Sequence, residues 1–236
     1  MSGITNKVFV FDMDGVILQN RSLAKEVSTR SAMFVKDRVN RHMPYEKANK
    51  INKVLYTNFG HTVIGLNKVY DSNITLNDFN EYVYDYNFTG NMLSYNREPD
   101  FFENNIKVRN LFKLLDDKGI PVYIFSNSPY RWCKNSLEII GVNNFDVNNI
   151  IGCDNTRHKY DKDIQVLKPF SCGYETINGL FDDANVEIIF IDDQIQNLRP
   201  VINAPLWKPV LFNNARYMNS KNLHVVNDID ELSMLV

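Results

Sequence analysis

The feature that most constrains this fold is a series of short apolar segments, mostly bounded by Asn, Asp, Gly or Pro. The segments are Val8–Phe11, Val122–Phe125, Ile150–Ile151, Ile188–Ile191, Val210–Phe212 and Leu223–Val226. Each is short and continuously apolar, which is typical of parallel strands that are covered on both faces of a sheet. The sequence therefore predicts a buried parallel sheet.

Helical patterns lie between these predicted strands. Apolar residues recur three and four positions apart in residues 106–115, 130–140, 173–181 and 228–235. The first of these patterns stops at Lys118-Gly119, which is a typical end of a helix. Strands that alternate with helices predict an α/β fold with a doubly wound parallel sheet.

The alternation is interrupted once, directly after the first predicted strand. From Gln19 to Glu98 the patterns are helical only, over Leu23–Arg41, Tyr45–Tyr56 and Leu76–Tyr86. An insert of about 80 residues is too long for an ordinary connection within a domain. We therefore expect a core domain formed by residues 1–18 and 99–236, and an inserted, all-helical cap domain formed by residues 19–98.

Composition excludes several classes of protein. The chain is 44% hydrophobic and 23% charged with a net charge of −2, which indicates neither a nucleic-acid polymer nor a membrane surface as partner. Its N-terminus has no pattern of a signal peptide, and Cys133, Cys153 and Cys172 are too scattered for a disulfide framework or a zinc site. We expect a cytoplasmic protein that is a monomer or a weak homodimer.

Polar residues follow or accompany the predicted strands at four places. These are Asp12 and Asp14, Ser126 and Asn127, Lys168 before a predicted helix, and Asp192 and Asp193. In an open α/β sheet, ligands bind outside the carboxyl ends of the strands, so three of these places should converge. Carboxylates with a lysine and a hydroxyl suit a divalent cation such as Mg²⁺ together with a phosphate group.

The four motifs "FDMDGVI", "IFSNSP", "VLKP" and "FIDDQIQN" occur in this order. The pattern resembles the haloacid dehalogenase superfamily of phosphohydrolases. The resemblance implies a Rossmann-like core, Mg²⁺ as cofactor and a small phosphate monoester as substrate. The segment Asp12-Met13-Asp14-Gly15 does not match a calcium-binding EF-hand loop, because Val16 and Leu23 fall where oxygen ligands are needed.

The resemblance and the chemistry of the residue types together imply individual roles. Asp12 is expected to be the nucleophile that forms an aspartyl-phosphate, and Asp14 the general acid and then the base. Ser126 and the backbone N–H of Asn127 are expected to bind phosphoryl oxygens, and Lys168 to neutralise the nucleophile and the transferred group.

The metal is expected to lie among the same carboxylates. Asp193 is the preferred direct ligand, joined by Asp12 and the backbone carbonyl of Asp14. Asp192 either supports the metal site from behind or positions Lys168, and Asn197 supports the loop.

A narrower resemblance concerns the substrate. The segment "LYTNFGHTVIGL" at 55–66 is similar to a stretch of the fungal and plant type of pyrimidine 5'-nucleotidase, with Phe59 where that family has tyrosine. It implies that Phe59, Gly60 and His61 contact the leaving group; alternatively, Phe59 is a core residue of the cap. Likewise, residues 130–132 either line the entrance of the site or simply begin a helix.

The expected activity is hydrolysis of a pyrimidine nucleoside 5'-monophosphate. Two alternatives stay open at this point. Another small metabolite, such as a sugar phosphate, could be the substrate. The fold could also serve as a non-catalytic binding module, although binding alone does not require the second acid, Asp14.

Overall fold

The computed structural model describes residues 7–95, 99–155, 166–181, 186–213, 216–217 and 219–236. The chain divides into two compact units, one formed by Met1–Gln19 with Pro99–Val236 and the other by Asn20–Glu98. The first unit contains the sheet, and the second consists of helices.

All strands that the structure describes belong to one parallel sheet. They are β1 (Lys7–Phe11), β2 (Val122–Phe125), β3 (Ile150–Ile151), β4 (Glu187–Asp192), β5 (Trp207–Phe212) and β6 (His224–Val226). Their spatial order is β3-β2-β1-β4-β5-β6. The chain therefore adds β2 and β3 on one side of β1, and then β4, β5 and β6 on the other side. The switch in direction lies between β1 and β4, which is where such sheets open a crevice for ligands.

The described helices fall into the two units. The helical unit contains α1 (Arg21–Val39), α2 (Tyr45–Phe59), α3 (Thr62–Tyr70), α4 (Leu76–Val83) and α5 (Tyr86–Gly90). The sheet unit contains α6 (Pro99–Asp117), α7 (Tyr130–Ile140), α8 (Ser171–Asn178), α9 (Ile195–Leu198) and α10 (Ile229–Leu232). Short 3-10 helices lie at Met92–Tyr95, Val147–Asn149, Arg199–Val201 and Ser233–Leu235.

The central strands are buried on both faces. On one face, Phe190 of β4 packs among Trp207, Tyr174 of α8 and Phe125, with ring centroids 5.7, 6.0 and 6.2 Å away. On the other face, Phe11 stacks on Phe112 of α6 at 5.6 Å. Burial on both faces explains why the strand sequences are continuously apolar instead of alternating.

The helical unit has a core and polar anchors of its own. Phe34 of α1 makes edge contacts with Phe79 and Tyr82, at centroid distances of 5.2 and 5.3 Å. Arg30 on the same helix donates to the Val83 carbonyl at 2.7 Å and pairs with Asp85. The helix α1 is thereby tied to the end of α4 and to the segment that follows it.

The predicted fold class is confirmed: the sheet is parallel and doubly wound, and the segment between β1 and α6 is helical. All the predicted strands are present. The predicted helix over 76–86 is wrong in extent, because α4 ends at Val83 and α5 begins at Tyr86. The helix α3 was not predicted. No helix in the described part of the chain is long and apolar enough to cross a membrane.

Replacing Phe190 by Ala should remove the ring that joins three aromatic neighbours and leave a cavity in the core. We expect the free energy of unfolding to fall by about 3–5 kcal/mol in denaturant titration. Phe102→Ala is the control, because Phe102 is 62% exposed and its loss should change stability by less than about 0.5 kcal/mol. Similar losses in both variants would contradict this description of the core.

Candidate active site

The predicted core residues of the site converge at the carboxyl ends of β1, β2 and β4. The structure brings together Asp12, Asp14, Ser126, Asn127, Lys168, Asp192 and Asp193. Parallel pairing of Phe11 with Ile124 and with Ile191 sets the strand ends side by side. Backbone pairing therefore fixes which polar residues leave the sheet next to one another.

Lys168 is the central cation of the site. Its side chain is 1% exposed, and its Nζ lies 2.8 Å from Asp12 Oδ1 and 2.7 Å from Asp192 Oδ2. Burial opposes the charge of this ammonium group, but the two carboxylates outweigh that effect and raise the pKa of Lys168. Lys168 is therefore held as a permanent positive charge.

Asn127 fixes the backbone on which Lys168 stands. Its Nδ2 donates to the Lys168 carbonyl and its Oδ1 accepts from the Lys168 N–H, both at 2.8 Å. This side chain thus pairs with the lysine backbone as a neighbouring strand would. The sequence analysis predicted a role only for the backbone N–H of Asn127. The two hydrogen bonds of its side chain with the Lys168 backbone are found only in the structure.

Asp192 is saturated by protein donors. Its Oδ1 accepts from the Gln194 N–H at 2.8 Å, and both oxygens accept from Asn197 Nδ2 at 3.1 and 3.0 Å. The hydroxyl of Tyr174 donates to the Asn197 carbonyl and so holds that residue from behind. Of the two roles that the sequence left open for Asp192, these contacts favour positioning of Lys168.

Asp12 is held through one of its oxygens. Oδ1 accepts from Lys168 and from the Met13 N–H at 2.7 Å, whereas Oδ2 accepts no hydrogen bond from the described residues. Burial raises the pKa of Asp12 well above its usual range, Lys168 opposes this, and Asp192 and Asp193 add to it. The carboxylate is therefore ordered, but its negative charge is incompletely balanced.

Asp193 lies close against the backbone of the first motif. A Cβ atom at Gly15 would stand 2.7 Å from Asp193 Oδ2, and Gly15 has a φ of +90°, so only glycine fits there. Burial, and then repulsion by Asp192, raise the pKa of Asp193 to about 7. Repulsion by Asp192 therefore outweighs the attraction of Lys168 at this carboxyl.

These carboxylates fit a divalent cation. One oxygen each of Asp12, Asp192 and Asp193 lies within 4.8 Å of the others. The donors are hard oxygens; burial, and repulsion by neighbouring carboxylates, raise the pKa of Asp12 and of Asp193. Mg²⁺ prefers such ligands and would supply the missing charge.

Asp14 is held by two side chains whose contacts with it the sequence did not predict. Ser128 Oγ donates to Asp14 Oδ2 at 2.5 Å, and Trp132 Nε1 donates to Asp14 Oδ1 at 2.8 Å. Burial raises the pKa of Asp14, and these two hydrogen bonds lower it again in part. Trp132 is 1% exposed, so the idea that it lines an open entrance is wrong.

Ser126 is 2% exposed at the end of β2. Its backbone N–H donates to the Ile151 carbonyl at 2.9 Å, and its Oγ accepts from the Ser128 N–H at 3.1 Å. In the loop after β2, Ser126 is therefore bonded to the end of β3, Asn127 to the backbone of Lys168, and Ser128 to Asp14. No sequence pattern except the position after a strand indicated this dense use of one loop.

Phe59, Gly60 and His61 lie at the junction of α2 and α3 in the helical unit. Gly60 ends α2 with a φ of +72°, and the half-buried Phe59 ring lies against Gly65 of α3. His61 Nδ1 accepts from the Val63 N–H at 3.2 Å, and burial lowers the pKa of His61 to about 4. The imidazole is therefore neutral near pH 7, with its proton on Nε2.

The comparison with protein families identifies the chain. The sequence profile of the haloacid dehalogenase-like hydrolases matches residues 6–199. The chain belongs to this hydrolase family. No curated protein sequence matches it.

Solved structures with the same fold have very different sequences. A proposed phosphoglycolate phosphatase from Lactobacillus delbrueckii subsp. bulgaricus is 14% identical with a TM-score of 0.56, covering 98% of each chain. A phosphoserine phosphohydrolase-like protein from Francisella tularensis is 17% identical with a TM-score of 0.51, covering 98% of this chain and 99% of that one. A haloacid dehalogenase family hydrolase from Deinococcus radiodurans, with bound phosphate and sodium, is 14% identical with a TM-score of 0.50, covering 95% of this chain and 92% of that one. These likenesses show the fold.

Binding of Mg²⁺ should strengthen as the pH rises through about 7, the pKa of Asp193. Below that pH a proton must leave the carboxyl before it can bind a cation, so affinity should rise up to about tenfold per pH unit. Calorimetric titration with Mg²⁺ at pH 5.5, 6.5 and 7.5 measures this dependence.

Two variants accompany that titration. Asp193→Asn should weaken Mg²⁺ binding at every pH, whereas Asp117→Asn, at an exposed pair with Lys113, should bind as the unchanged protein does. Affinity that is independent of pH, or equal in both variants, would contradict the assignment of Asp193.

Proposed function

We propose that this protein hydrolyses phosphate monoesters with Mg²⁺ through an aspartyl-phosphate on Asp12. The observation that carries the proposal is the difference between the two oxygens of the Asp12 carboxylate. Lys168 and the Met13 N–H hold Oδ1, while Oδ2 accepts no hydrogen bond from the described residues. Membership of the hydrolase family and the phosphatase names of structural neighbours support the same reading.

In the first step, Asp12 Oδ2 attacks phosphorus, and the bond from phosphorus to the leaving oxygen breaks. Asp14 gives its proton to that oxygen, and burial favours the protonated form because it raises the pKa of Asp14. Ser126 Oγ and the Asn127 N–H donate to phosphoryl oxygens, and Lys168 keeps the nucleophile oriented. The product of this step is an alcohol and an acyl phosphate on Asp12.

In the second step, Asp14, now ionised, takes a proton from water as the water attacks phosphorus. The bond between phosphorus and Asp12 breaks, which releases phosphate and restores both carboxyl groups to their first states. Asp12, Asp193 and the Asp14 carbonyl, with Asp192 behind them, would hold Mg²⁺, whose charge would balance the carboxylates and the phosphoryl oxygens.

For the substrate, we propose a pyrimidine nucleoside 5'-monophosphate. The support is the segment at 55–66, in which Phe59 offers an aromatic face and His61 a donor at Nε2. Aromatic faces stack on bases and a neutral imidazole N–H suits a base carbonyl. In this proposal the helical unit acts as a cap that contacts the leaving group and excludes water.

The activity should require both the metal and Asp12. Hydrolysis of p-nitrophenyl phosphate is expected with Mg²⁺, to disappear with EDTA and to return with excess Mg²⁺. Asp12→Asn should abolish turnover, because an amide does not form the acyl phosphate. Full activity after exhaustive chelation, or in Asp12→Asn, would refute the proposal.

The same assay identifies the substrate class. The panel consists of uridine and cytidine 5'-monophosphates, 2-phosphoglycolate, phosphoserine and a sugar phosphate, compared by kcat/KM. A preference for the two nucleotides supports the narrower proposal. A preference for any other ester keeps the chemistry and replaces the substrate.

Phe59→Ala tests whether the aromatic ring stacks on the base. The loss of stacking, about 1–3 kcal/mol, should raise KM for the pyrimidine nucleotides about tenfold and change p-nitrophenyl phosphate hydrolysis much less. If Phe59 is instead a core residue of the helical unit, all substrates should suffer alike and the melting temperature should fall.

Phe88→Ala is the matched control for that experiment. Phe88 is 5% exposed in the helical unit, and it is not among the residues predicted to contact substrate. Its loss should lower the melting temperature without selecting between substrates. A Phe59 variant that behaves as the Phe88 variant does would contradict a stacking role.

A further inference from the structure

The carboxyl group of Asp14 faces two hydrogen-bond donors of different kinds. Trp132 Nε1 contacts Oδ1 at 2.8 Å, and Ser128 Oγ contacts Oδ2 at 2.5 Å. An indole N–H can only donate, whereas a serine hydroxyl can donate or accept. The two oxygens of Asp14 are therefore not equivalent.

We propose that Trp132 and Ser128 are positioning residues that fix the orientation of the Asp14 carboxyl, and with it the direction in which Asp14 exchanges a proton with the substrate. Each oxygen of the carboxyl has its own donor, so rotation about the Cβ–Cγ bond would break both hydrogen bonds. The inference rests on the proposed function, in which Asp14 gives and takes a proton.

This role bears on both steps of the proposed reaction. The indole N–H can donate to Oδ1 before and after Asp14 gives up its proton, so the carboxyl group keeps one orientation.

The two donors are themselves fixed by the elements that bind the phosphoryl group. The Ser128 N–H donates to Ser126 Oγ, and the Ser128 carbonyl accepts from the Cys153 N–H at 3.2 Å. Trp132 lies in the first turn of α7, which begins two residues after Ser128. One loop therefore sets both the phosphoryl contacts and the direction of the acid.

A bystander tryptophan supplies the matched control. Trp207 of β5 is 8% exposed, and its Nε1 donates to Asn178 Oδ1 at 2.9 Å, within the aromatic core. Trp132→Phe and Trp207→Phe remove the same atoms and one indole hydrogen bond each. Only the first change removes a contact with Asp14.

Solution NMR tests the hydrogen bond between Trp132 and Asp14 independently of catalytic activity. The chain has two tryptophans, so the ¹H–¹⁵N spectrum contains two indole signals, which Trp207→Phe assigns. Asp14→Ala should move the Trp132 signal upfield, because this variant lacks the oxygen that accepts from the indole N–H. A Trp132 signal that does not respond to Asp14→Ala would overturn the inference.

Kinetics test the positioning role. An alkyl phosphate needs a proton on its leaving oxygen, whereas p-nitrophenyl phosphate has a good leaving group and needs it little. General acid catalysis contributes about 10²–10⁴-fold. Trp132→Phe and Ser128→Ala should therefore each lower the alkyl-to-aryl ratio of kcat by about tenfold or more, with KM little changed. Ser128→Thr keeps the hydroxyl and should restore most of the ratio.

The outcomes separate this inference from the proposed function. Trp207→Phe should lower the melting temperature and leave the alkyl-to-aryl ratio unchanged. If Trp132→Phe and Ser128→Ala behave as Trp207→Phe does, the positioning role is wrong while the hydrolase proposal stands. If Trp132→Phe does not fold, Ser128→Ala, which removes a single oxygen atom, decides. If the unchanged protein hydrolyses neither ester with Mg²⁺, the proposed function fails and the inference fails with it.

Discussion

The site depends on one interaction, the contact of a buried ammonium group with two carboxylates. Lys168 Nζ lies between Asp12 and Asp192, and its side chain is 1% exposed. Removing one partner of such a buried pair costs about 3–5 kcal/mol, because the remaining charge is left without compensation. The two strand ends bring the negative charges together, and the segment before α8 returns the cation to them. The fold thus determines the charge arrangement of the site.

Uncharged side chains hold that arrangement in one geometry. Asn127 clamps the lysine backbone, Asn197 fills the remaining acceptor positions of Asp192, and Tyr174 holds Asn197 through its carbonyl. Tyr174 also packs on Phe190 and Trp207 in the core of the sheet. Tyr174 therefore belongs both to the core of the sheet and to the contacts that hold the site. Groups that are held in place in this way are preorganised, which is the condition for electrostatic catalysis.

The sequence predicted the parts of this structure that depend on local pattern. Strands buried on both faces read as apolar runs, and the motifs at their ends follow from chain topology. It did not predict α3, because Val63, Ile64 and Gly65 weaken a helical pattern and its N-cap is a histidine. It also did not predict the contact of Trp132 with Asp14, which joins residues 118 positions apart. That contact depends on how α7 leaves the sheet, and the only sequence signal was an aromatic donor close behind a strand-end serine.

The central claim is that Asp12 carries the phosphoryl group, and trapping the intermediate tests it most directly. The protein is mixed with Mg²⁺ and a phosphate monoester, quenched in acid during turnover and reduced with borohydride, which converts an acyl phosphate to an alcohol. Peptide mass spectrometry then finds the modified residue. The account predicts homoserine at position 12, present only when substrate and Mg²⁺ were both supplied. Substrate turnover with position 12 unmodified, or with the modification at another carboxylate, would contradict it.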